Sequence, residues 1–136
     1  MDLTDRKILK MLKQDSQISL QRISKVVSLS PPAVRERINK MKDVGIIGKY
    51  TIDIDYRALG YDINVIIEIL IKNNLYRDFK DFISEQNDVE FCYRISGESC
   101  FIFKVHFQGM LPVEPFTDQL QHYGHTKTHF IFSKTV

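Results

Sequence analysis

The chain has 136 residues, 43% of them hydrophobic and 26% charged, enough apolar content for one domain or two small ones with real cores. No apolar run is long enough to span a membrane, and the charged N-terminus lacks the apolar stretch of a signal peptide, so the expected location is cytoplasmic. The net charge of +2 hides an asymmetry: residues 1–50 carry 11 Lys or Arg against 5 Asp or Glu, whereas residues 51–136 carry 8 against 12. A basic first part joined to an acidic second part predicts that only the first meets a polyanion.

Asp2 is placed to cap a first helix, with Asp5 three positions on completing a box-like arrangement and Ile8, Leu9 and Leu12 forming the core stripe. Ser19 caps a second helix whose Leu20, Ile23 and Val27 face inward. The turn Ser28–Leu29–Ser30 feeds a third. Ser30 is its N-cap, and Pro31 and Pro32 fall in the first turn, where the N–H groups they lack have no partner inside the helix. Val34, Ile38 and Met41 share one narrow arc, while Pro32, Arg35, Glu36 and Asn39 fall opposite. Gly45 supplies a left-handed stop, with Ile46 as its expected apolar partner. This is the design of a helix-turn-helix with a recognition helix over 30–44, and it implies binding to double-stranded DNA.

After Gly48 the run from Tyr50 to Asp55 alternates as a strand would, and Gly60 is read as a hinge. Tyr61 to Lys72 is a β-branched strand with Ile63, Val65, Ile67, Ile69 and Ile71 on one face. Leu75, Phe79, Phe82 and Ile83 mark a helix. Val89, Phe91, Tyr93 and Ile95 alternate as a second strand, Ser96–Gly97–Glu98–Ser99 turns, and Phe101, Phe103, Val105 and Phe107 make a third. Val113, Phe116 and Leu120 mark a short helix, and Thr126, Thr128, Phe130 and Phe132 a fourth strand. The expected class is therefore α+β: a three-helix winged helix-turn-helix (1–48), a strand and hinge linker (49–60), and a βαββαβ ferredoxin-like domain (61–136). In that topology both helices cover one sheet face. Alternation puts Ile66, Leu70, Cys92, Ile102 and Ile131 on the other, an apolar patch that predicts a homodimer with sheets packed face to face.

Arg35 and Asn39 are the candidates for base-edge contact, since Arg matches guanine and Asn adenine in the major groove. Glu36 either accepts from cytosine or pairs with Lys40 one turn on. Arg37, at the edge of the apolar arc, is structural or phosphate-directed, and Arg22, Lys25 and Lys49 are candidate phosphate contacts. Cys92, Cys100 and His106 lie on neighbouring predicted strands and share a face by alternation. A Cys–His nucleophile is the catalytic alternative, and packed cysteines are the commoner outcome. Two cysteines form no zinc pattern, and His122, His125 and His129 fall on a helix end and along a strand, a poor arrangement for one metal. No cofactor is expected.

The segment LSPPAVRERINKMKDVGIIGKYT resembles the recognition helix and following strand of the Lrp/AsnC (feast/famine) family of transcriptional regulators. VEFCYRISGESCFIFKV resembles the central hairpin of that family's effector-sensing domain, above all its LrpC-type branch. The resemblance covers essentially the whole chain. It implies a DNA-binding dimer assembled into larger rings such as octamers, associated with the nucleoid and tuned by an amino acid or another small metabolite. It also implies an effector loop at Ser96, Gly97, Glu98, Ser99 and Cys100. The family's Gly-x-x-Asp turn is matched at Gly97, but Cys100 stands where the aspartate would, and a thiol cannot pair an ammonium group as a carboxylate does, leaving Glu98 as the nearby carboxylate. The same departure motivates an alternative, an architectural protein that bends or wraps DNA without an effector. A small-molecule-binding or catalytic ferredoxin-like domain is the alternative from another class.

Overall fold

A computed structural model describes all residues 1–136 and divides the chain into two compact units, Met1–Asp53 and Ile54–Val136. The first unit holds α1 (Leu3–Gln14), α2 (Leu20–Val27) and α3 (Pro31–Asp43). All three start as the sequence predicts. The Asp2 side chain accepts from the Asp5 amide in a full capping box, Ser19 accepts from the Arg22 amide, and Ser30 accepts from the Ala33 amide. Ile8, Ile23, Val34, Ile38 and Met41 are buried together at the centre, with Leu9, Leu12, Leu20, Val27 and Ile47 packed around them.

The turn between α2 and α3 is sharp because Ser28 adopts a left-handed conformation (φ 57°), and the Ser24 hydroxyl donates to the Leu29 carbonyl across it. Gly45, at φ 80°, stops α3 with its amide on the Lys42 carbonyl. The apolar partner at this stop is Ile47, whose amide reaches the Met41 carbonyl. Ile46, the expected partner, is 46% exposed.

The second unit is a four-stranded antiparallel sheet in the order β2-β3-β1-β4, built from β1 (Ile63–Ile71), β2 (Val89–Arg94), β3 (Phe101–Phe107) and β4 (Gly124–Phe130). Helices α4 (Tyr76–Ser84) and α5 (Val113–Gln121) lie on one face. Phe79, Ile83, Val113, Phe116 and Leu120 close the core against Val65, Ile67, Ile69, Phe101, Phe103 and Val105. This is the expected ferredoxin-like arrangement. Gly124 opens β4 so close to β1 that a Cβ there would lie 2.0 Å from the Leu70 carbonyl oxygen.

Three further expectations are corrected. Residues 49–55 form no strand: the alternating Tyr50, Ile52 and Ile54 are all exposed, because within a single chain nothing offers this segment a ladder of hydrogen bonds. Phe132, expected in the fourth strand, lies beyond its end and is exposed. The third concerns the sheet faces. Val89 pairs with Val105 and Phe91 with Lys104, so Glu90 is an extra residue in β2, a bulge that reverses the alternation beyond it. Cys92 consequently opposes Phe103 and packs into the core, and Tyr93 replaces it on the open face opposite Ile102. Cys100 also packs toward the core, whereas His106 pairs with Asn64 on the open face. The three residues of the catalytic alternative therefore do not share a face.

Candidate nucleic-acid interface and effector loop

Along α3 the capping and phase leave one side free. Val34, Ile38 and Met41 are buried, and Pro32, Arg35, Glu36, Asn39 and Lys40 are exposed, with Ser30 exposed at the helix start. Arg22 and Lys25 are exposed on α2, and Lys49 beyond α3. Glu36 and Lys40 form a loose ion pair at 3.9 Å, both largely in water. Arg37 stands apart from this set. Its guanidinium is held by Asp2 at 2.6 Å and Asp5 at 3.0 Å, so of its two predicted roles the structural one is the one its contacts occupy. The pairing holds the Asp2 carboxyl below the usual carboxylate range and raises Arg37.

The loop between β2 and β3 is open on one half and tied in on the other. Ser96, Gly97 (φ 99°) and Glu98 are exposed, and Glu98 lies 3.8 Å from Lys127 of β4. Ser99 is buried, its hydroxyl donating to Glu68 at 3.4 Å. Glu68 is held below its ordinary value chiefly by His129, 2.8 Å away. The Cys100 amide bonds the Ile69 carbonyl, and its Sγ lies 3.2 Å from the Tyr76 hydroxyl, which the neighbouring thiol pushes up. The Cys100 thiol is thus directed at the core side of the loop.

Sequence reasoning missed a polar cluster on the open face. His106, 1% exposed, stacks on Tyr56 with ring centroids 3.6 Å apart. Asn64 donates its amide to the Tyr61 carbonyl, which turns its oxygen to His106 Nδ1. Nδ1–H donates there, and Nε2 faces Glu90 at 3.0 Å. Glu90 also holds Lys104 at 3.1 Å. Burial pushes the His106 ring below its ordinary value, against the opposing pull of Glu90. The bulge that delivers Glu90 carries no period-2 signature, which is why alternation did not find the cluster. Among the histidines and acids of the chain no group of three or more is arranged to hold a metal ion, and no helix is long and apolar enough to cross a membrane.

A capped helix presenting a free polar and basic side, followed by a ferredoxin-like unit, is the architecture of a helix-turn-helix protein with a separate second domain. The AsnC-type helix-turn-helix domain matches residues 1–42 and the Lrp/AsnC ligand binding domain matches residues 64–136. The chain belongs to the Lrp/AsnC family of transcriptional regulators. It is 37% identical over 134 residues to the HTH-type transcriptional regulator LrpC of Bacillus subtilis, an alignment covering 98% of this chain and 93% of LrpC. The solved structure of B. subtilis LrpC superposes with a TM-score of 0.94, covering 100% of this chain and 97% of that one. A Neisseria meningitidis transcriptional regulator, NMB0573, solved in complex with L-Met, shares the fold at 22% identity with a TM-score of 0.92, covering 100% of this chain and 92% of that one.

Proposed function

We propose that this regulator binds duplex DNA as a dimer or a larger ring of dimers, laying α3 of each head in a major groove, and acts by binding rather than by turnover. The observation that carries this reading is the exposure of Pro32, Arg35, Glu36, Asn39 and Lys40 on the side of α3 opposite its buried Val34, Ile38 and Met41. Arg35 and Asn39 read base edges, Arg22, Lys25 and Lys49 contact phosphate, and Ser30, Pro32, Glu36 and Lys40 lie on the same DNA-facing side. Residues 49–60 link the head to the sensing domain. The sheet face left bare by α4 and α5, where Leu70 is 46% and Tyr93 61% exposed, is the dimer surface. Such a protein works in the cytoplasm at the nucleoid.

The test uses a duplex enriched by repeated rounds of binding and amplification, and a scrambled duplex at matched salt. Arg35→Ala and Asn39→Ala each weaken the enriched duplex by about fivefold or more, the lower end of one base contact, and leave the scrambled one nearly unchanged. Equal losses on both would remove the base-reading role.

By analogy with the L-Met-bound Neisseria regulator, the effector is an amino acid held at Ser96–Cys100, with Glu98 as the available carboxylate. A second reading, an architectural protein that bends DNA without an effector, is favoured by one observation: the Cys100 thiol is engaged with Tyr76 and offers no charge to an ammonium group. Thermal-shift titration with the common amino acids at millimolar concentration separates the two, since an effector raises the transition by mass action. DNA bending that is unchanged by every amino acid supports the second.

A further inference from the structure

The most fully specified polar contact of the first unit is one that DNA reading leaves unused, the clamp of Arg37 on the start of α1. The four carboxylate oxygens of Asp2 and Asp5 are each assigned. Asp2 Oδ1 accepts from the Asp5 amide at 2.8 Å and Asp5 Oδ2 accepts from the Asp2 amide at 3.2 Å, closing the capping box. The two remaining oxygens, Asp2 Oδ2 and Asp5 Oδ1, converge on a single nitrogen, Arg37 Nη1, at 2.6 and 3.0 Å. At 100° per residue Arg37 lies some 200° from both Arg35 and Asn39, so it projects from the far side of α3 when those two face a groove. Its charge is matched by two carboxylates, which removes the net positive charge a phosphate contact needs.

We propose that Arg37 is a positioning residue for DNA recognition: it fixes the roll of α3 about its own axis by tying the helix to the capped first turn of α1, and it contributes specificity without touching DNA. The physical reason is geometric. The head has a core of only five buried apolar residues, of which α3 supplies Val34, Ile38 and Met41, so a polar contact far from that stripe adds a separate constraint on the orientation of the helix. A single guanidinium nitrogen shared by two carboxylates, themselves fixed by backbone amides, opposes that rotation. The inference rests on the reading of α3 as the recognition helix.

The test exploits a conflict of sign. Asp2→Asn with Asp5→Asn keeps side-chain oxygens able to cap α1 but removes two negative charges from a DNA-binding head. If the clamp only decorates the surface, or if Arg37 is a phosphate contact restrained by its acids, this variant binds enriched and scrambled duplexes more tightly and to the same degree. If Arg37 positions the helix, scrambled DNA is bound more tightly while preference for the enriched duplex falls by about fivefold, the value of a degraded base contact. Arg37→Gln supplies the second readout. The slope of log affinity against log salt stays at the wild-type value while preference falls, whereas loss of a phosphate contact lowers that slope by about 0.9. An unchanged preference in both variants, or a reduced slope in Arg37→Gln, overturns the proposal. Absence of salt-dependent duplex binding by the wild-type protein would instead overturn the DNA reading beneath it.

Discussion

The two units solve the same problem, holding polar function on an apolar frame, by different means. The head buries five apolar side chains, and its definition comes largely from local devices, three side-chain N-caps, a left-handed Ser28 and a left-handed Gly45, with the Arg37 clamp as its one long-range polar tie. The sensing unit buries thirteen apolar side chains and relies on long-range register between strands far apart in sequence. A region defined locally keeps its outer face free for a ligand as large as DNA. A region defined by register can carry buried polar groups such as His106, because neighbouring strands supply their partners.

This contrast can be broken at its most sensitive point. Gly124→Ala forces a Cβ against the Leu70 carbonyl, a clash with backbone that no rotamer relieves, and destabilises the sensing unit by about 4 kcal/mol or more. Calorimetry of this variant should show the sheet transition lowered or lost while the helical transition persists. A single transition shifted as a whole would mean that the units unfold together. Ile23→Ala, in the head, costs about 2–5 kcal/mol by opening a cavity in a core too small to redistribute it, and should reverse the order of melting.

A pH series sharpens the comparison. Burial holds folded His106 below its ordinary value near 6.5, so around that pH the unfolded chain binds more protons than the folded one. The contribution of His106 to the stability of the sensing unit is therefore fully present above the ordinary value and falls as pH drops through it toward the lower folded value. His106→Gln should flatten that slope in denaturant titrations between pH 5 and 8, a range bracketing the histidine value of about 6.5. An unaltered slope would assign the acid sensitivity elsewhere. The head differs: Asp2, held low chiefly by Arg37, contributes stability above its ordinary 3.8 and loses it as pH falls below. The smallest effect belongs to Glu36→Gln, since a pair 3.9 Å apart and mostly in water is worth under about 0.5 kcal/mol.

Legibility followed the range of the interactions. Asp2, Ser19 and Ser30 were readable as caps because a cap depends on residues two or three positions away, and the stripe of α3 because helical phase is fixed by backbone geometry. The strand expected at 50–55 was legible as a pattern but not as a structure, since alternation says what a segment can pair like and not whether a partner is present. Alternation puts Cys92 on the wrong face for one reason, the bulge at Glu90, which has no partner in the β2–β3 register.

The three capped helices, the side of α3 that stays in water, the order of strands and helices, and the core face of β1 and β3 follow from local chemistry and fixed periodicity and are readable in the residues alone. Tertiary structure alone decided which way Arg37 turns, which face receives Cys92 and Tyr93, and that His106 lies buried under Tyr56. Each of these depends on residues distant in sequence being brought together, and on a bulge whose one-residue offset changes every side-chain direction that follows it.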